Sequence, residues 1–148
     1  MGIIANIGLD AISGSEANYR ATRAAEQTVA ALRYARLLAM STGNSSGVEF
    51  NTALKTITVY TMINGTQTFV ASPFTGSVGG NYQINLATNQ QAVNGVAMAV
   101  SLPSDATNPY DCLYNALGAT TNTGTINFTY SQGKRVVTIA AVADPTYN

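Results

Sequence analysis

Apolar residues recur at helical spacing in one stretch of the chain and at strand spacing through most of the remainder. Over residues 16–41, taken at about 100° per residue, Ala21, Ala25, Thr28, Leu32, Ala35 and Ala39 fall on one narrow stripe, flanked by Ala24, Val29 and Arg36. The stretch is rich in Ala, Leu, Arg, Glu and Gln, which lose little side-chain freedom on entering a helix. It predicts a long helix. Four of the six stripe residues are Ala, so another backbone can approach that face closely. Leu32 is its one large side chain and, with Ala25, Ala35 and Ala39, is expected to anchor the helix on a sheet. Ala30, Tyr34 and Leu37 are expected to point the other way, forming a second apolar face suited to contact with neighbouring subunits. Ser13 or Ser15 is the expected N-cap, with Glu16 favouring the positive helix end, and Gly43 the expected left-handed C-cap.

Beyond Gly43 the period changes to two. Residues 47–51 alternate, and residues 56–62 are dense in β-branched and aromatic side chains. Asn64-Gly65 is the strongest hairpin signal and leads into a strand over 66–70. Further strands are predicted over 82–86, 96–102, 110–115, 125–130 and 135–142, the last two joined by a turn at Ser131 to Gly133. Residues 73–81 and 103–109 read as loops. The expected fold is α+β: a long N-terminal helix packed on antiparallel β-sheets. The chain divides into the helix, residues 1–43, and a globular β domain, residues 44–148. Residues 2–12, a semi-apolar lead, read either as a frayed terminus or as the remnant of a longer hydrophobic helix.

Composition narrows the chemistry. Of 148 residues only 9% are charged, with seven basic against seven acidic, so no net field draws in nucleic acid or acidic lipid. The polar surface is instead amide- and hydroxyl-rich, as on secreted and cell-surface proteins. There is no His, which removes His-based triads and His metal ligands. The single Cys112 lies in an apolar run and reads as a buried, inert thiol. The glycines of 73–81 neither precede a helix nor lead to a Lys at phosphate-loop spacing. Ser104, Asp105, Asn108 and Asp111 supply oxygen donors of the kind calcium takes, but without an EF-hand spacing, so turn chemistry is the reading preferred. No Ser stands in a nucleophile elbow. The expectation is a protein that is not an enzyme, holds no cofactor and acts by assembly.

The order of features is similar to that of the GspH/FimT family of minor pilins and pseudopilins. Leu32, Ala35, Arg36, Ala39, Gly43, Val48 and Phe50 occupy the family's pattern where the helix enters the sheet, and Leu113 to Gly118, Gly124 to Phe128 and Val136 to Ile139 resemble its closing strands. The resemblance implies a subunit that stacks by its N-terminal helix into a type IV pilus or a type II secretion pseudopilus. It implies other pilin or pseudopilin subunits as partners and the inner membrane as the anchor, through a hydrophobic segment missing here. The chain lacks the prepilin peptidase motif and most of the hydrophobic half-helix, carries Asp10 where family members often have Pro, and lacks the family's common Gly-Arg ending. It reads as an N-terminally truncated form. The runner-up is a DNA-uptake pilin contacting DNA through Lys134 and Arg135, with nucleic acid not the favoured partner. Arg20, Arg23, Arg33 and Arg36 scatter around the helix, and Glu16 and Glu26 sit at ion-pairing spacings from the first two. Third is a surface adhesin or carbohydrate-binding module, resting on Tyr82, Tyr110 and Tyr114.

Overall fold

The computed structural model describes residues 2–73, 80–88, 93–103, 110–120, 122–140 and 146–147, with 2–14 and 146–147 described by backbone alone. Helix α1 runs Gly2–Thr42. It therefore begins earlier than the caps predicted: Ser13 and Ser15 are interior residues, not N-caps. The physical reason lies in the lead itself, which contains Ile, Ala and Leu and no Pro. Interior Ser and Gly cost at most about 1 kcal/mol each, too little to interrupt a helix already under way. The end is as predicted. Gly43 has φ 72° and its N–H bonds the Ala39 carbonyl at 3.0 Å, while the Ser41 and Thr42 hydroxyls donate to the Leu38 carbonyl.

Nine strands follow among the described residues: β1 Ser46–Asn51, β2 Thr56–Ile63, β3 Thr66–Phe69, β4 Gln83–Asn85, β5 Ala97–Ser101, β6 Asp111–Tyr114, β7 Gly124–Tyr130, β8 Gly133–Ile139 and β9 Thr146–Tyr147. The first sheet runs β3-β2-β1-β6. Strand β1 occupies one edge of β2 from Thr56 to Thr61, so β3 and β4 take the other edge in succession, β4 at Thr56–Thr58 and β3 at Tyr60–Ile63. Asn64 and Gly65, at φ 53° and 79°, make the type I′ turn that the Asn-Gly pair predicts. The second sheet runs β5-β7-β8-β9, all antiparallel. Strand β9 was not anticipated, because two residues show no alternation.

Helix α1 packs against strands of both sheets. Ala21, Ala24, Ala25, Leu32, Ala35 and Ala39 are fully buried, in one core with Val48, Phe50, Ile57, Val59, Ile126, Phe128 and Val137 (Ala21 adjoining it). Small residues let the backbones meet. At Gly133 on β8, an added Cβ would run into the Ala17 carbonyl and the Asn18 nitrogen. Thr28 is buried on the same face, and its hydroxyl donates to the Ala24 carbonyl at 2.7 Å. Arg20 fixes the helix further along: it pairs with Glu16, donates to the Asn94 carbonyl at 2.8 Å, and stacks 4.7 Å from the Tyr130 ring centre.

Candidate assembly face

The side of α1 turned away from the core carries Tyr19, Ala30, Arg33, Leu37 and Met40, all exposed, with Leu37 at 59%. These positions share one face at helical spacing. Ala25, Leu32, Ala35 and Ala39 occupy the opposite, buried side, each with no exposed surface. Ala30 and Leu37 thus stand where outward contact is available. Tyr34 does not, and the expectation that it faces away is corrected. It is half-buried, packs against the core, and meets the Tyr82 ring edge-on at 5.4 Å between centroids. Tyr34 lies at the border of the open face, and its length lets the ring fold back onto the sheet. Tyr19 and Met40 belong to the open face although the pattern of small residues did not single them out; continuing the spacing from Ala30 and Leu37 in both directions finds them.

The remaining candidates resolve into structural roles. Lys134 and Arg135 are neighbours on β8, and successive strand residues point to opposite faces, so the two do not form one basic patch. Arg135 is half-buried and donates to the Lys134 carbonyl. On the helix, Arg20 pairs with Glu16 at 2.6 Å and Arg23 with Glu26 at 3.1 Å, as their spacing predicts. Tyr82 and Tyr114 are buried in the core cluster, unsuited to stacking on a sugar. Ser104, Asp105 and Asn108 lie outside the described residues. Asp111 is buried at the start of β6, where its carboxylate accepts from Tyr60 Oη at 2.5 Å and its backbone carbonyl from Asn122 Nδ2 at 2.9 Å. No cluster of three metal-ligating side chains occurs among the described residues. Cys112 is buried facing the core, and burial pushes its thiol pKa up, away from nucleophilic chemistry.

No protein-family profile and no curated protein sequence matches the chain. Among solved structures, the minor pseudopilin EpsH from the type 2 secretion system of Vibrio cholerae superposes with a TM-score of 0.60 at 14% identity. The match covers 87% of this chain and 96% of that one. The chain shares the fold of that protein. Helix α1 is unbroken from Gly2 to Thr42, and no described helix is long and apolar enough to cross a membrane.

Proposed function

We propose that this chain is a minor pseudopilin, a structural subunit that joins the pseudopilus of a type II secretion system through the open face of α1. The observation that carries the reading is the fold: a helix buried along one side by two sheets, in an arrangement that extends over nearly the whole of a known minor pseudopilin. Two features of the chain support it. The helix keeps Ala30, Leu37 and Met40 exposed opposite its buried stripe, as a subunit needs if it is to lie against neighbouring helices. The chain also has no His, and its one thiol is buried, which fits a mechanical role. In this reading its partners are other pseudopilin subunits and its place is the cell envelope.

The test is incorporation. Ala30→Glu and Leu37→Glu should leave the melting temperature of the isolated protein within a few degrees, because both positions are exposed. In cells the same changes should abolish co-purification with other pseudopilins and reduce secretion. Normal secretion with both variants, at normal protein levels, would defeat the proposal.

A further inference from the structure

We infer that Met40 is an oxidation-sensitive latch between the end of α1 and the turn after β6: a peroxide converts its thioether to the sulfoxide and unseats that turn. The turn, residues 115–119, is fastened to itself. Gly118 N–H bonds the Asn115 carbonyl at 2.8 Å and Asn115 N–H bonds the Ala119 carbonyl at 2.9 Å. The Asn115 side-chain oxygen accepts from the N–H groups of Leu117 and Ala119, at 2.9 and 3.1 Å. Its seat is the helix. A Cβ added at Gly118, where φ is +77°, would stand 2.7 Å from Met40 Sδ, 3.1 Å from Met40 Cγ and 3.1 Å from Arg36 Nε. The thioether therefore packs on a position where only hydrogen fits, with the Arg36 guanidinium beside it.

Access and chemistry single out this sulfur. Met40 is 45% exposed, whereas Met62 on β2 and Met98 on β5 are half-buried, Met98 packed against the core. A thioether needs no ionisation to react, so its oxidation follows the access of the oxidant; the buried thiol of Cys112 has neither access nor a ready thiolate. Hydrogen peroxide gives one oxygen to Sδ: an S–O bond forms, the O–O bond breaks, sulfur is oxidised and the other oxygen leaves as water. The product is bulkier and strongly dipolar where an apolar thioether had lain. Gly118 leaves no room on its side. The new oxygen must push the turn off the helix or swing into water and take the sulfur with it. Either movement removes the contact on which residues 115–119 rest. The latch acts in the free subunit and does not depend on what the open face of α1 contacts.

The experiment exposes the folded protein to graded hydrogen peroxide and reads sulfoxide by peptide mass at each methionine, with Met1 scored separately. Met40 should be modified several times faster than Met62 and Met98. At full Met40 conversion the melting temperature should fall by a few degrees. Amide exchange should quicken over residues 115–119 and stay unchanged at the Asn64-Gly65 turn. Methionine sulfoxide reductases should restore the original melt. Met40→Leu keeps the volume without the sulfur and, against its own untreated form, should lose nothing to peroxide. Equal rates at Met40, Met62 and Met98 would overturn the inference. So would full conversion of Met40 with melting and exchange unchanged, a loss that the reductases leave in place, or the same loss in Met40→Leu.

Discussion

The hydroxyl of Tyr60 on β2 reaches across β1 to donate a 2.5 Å hydrogen bond to the carboxylate of Asp111 on β6. The ring crosses above Gly47, the residue paired with Tyr60 on β1, where an added Cβ would come within 3.0 Å of the ring and 2.5 Å of the Cys112 carbonyl. Three strands are thereby joined by one side chain on the face away from α1. Burial first, and then the hydrogen bond to Asp111, push the Tyr60 pKa far above its ordinary value.

Tyr60→Phe should therefore destabilise the protein by about 1–3 kcal/mol, the cost of removing one hydrogen-bond donor from a buried carboxylate. The sign of the pH effect follows from the same bond. A tyrosine whose folded pKa is raised holds its proton in the native state while the unfolded state releases it near pH 10. Its stabilisation is complete below that pH and declines as pH rises further. Denaturant titrations between pH 8 and 11 should show the wild type losing stability with a steeper slope than Tyr60→Phe. Equal slopes would mean that Tyr60 is not held as described; Tyr82, also raised by burial, contributes equally to both proteins.

Gly47→Ala tests the crossing point. The new methyl must displace either the Tyr60 ring or the backbone of β6, and overpacking of this kind typically costs about 1–3 kcal/mol. A thermal melt within a degree of wild type would show that the face yields more easily than the contacts indicate.

The two sides of α1 should respond oppositely to change. Leu32→Ala removes the largest fully buried side chain of the described helix and should cost about 2–5 kcal/mol. Leu37→Ser should cost less than about 1 kcal/mol in the isolated protein. Tyr34→Ser falls between them, because the ring packs against Tyr82. Urea unfolding of the three variants checks the order; a Leu37→Ser loss as large as that of Leu32→Ala would mean that the open face is not open.

Cys112 should resist alkylation in the native state at pH 8, since it has no exposed surface and its thiol pKa is raised. Iodoacetamide labelling followed by mass measurement should show modification only once denaturant unfolds the chain. Rapid native labelling would place the thiol at the surface.

Much of this architecture was legible from periodicity, and the reasons are local. The Ala stripe and Leu32 fix which side of α1 is buried, and the Asn64-Gly65 pair requires positive φ at both positions, which only a tight hairpin turn uses. The start of the helix was misjudged because Ser13 and Ser15 carry cap chemistry whether or not a helix is already running through them. Tyr34 was misplaced because a wheel angle describes a Cβ direction, whereas a long aromatic side chain at the border can turn either way. Leu113 to Gly118 resembles a closing strand in sequence, but β6 ends at Tyr114 and the rest is a turn. That turn is set by where Gly118 meets Met40 and Arg36, a contact between residues far apart in the chain.

The arrangement of β2 sets a timetable for folding. Strands β1, β2 and β3 are joined by short turns and can zip together as soon as that part of the chain is available. Strand β6 must instead close a long loop, for Tyr60 and Asp111 are 51 residues apart in sequence. Until it arrives, β1 offers a free row of backbone donors and acceptors beside Val48, and the Tyr60 hydroxyl lacks its acceptor. The interval before β6 docks is when the chain is most exposed to pairing with another copy, and variants that delay that closure should aggregate during refolding even where the finished protein is scarcely destabilised.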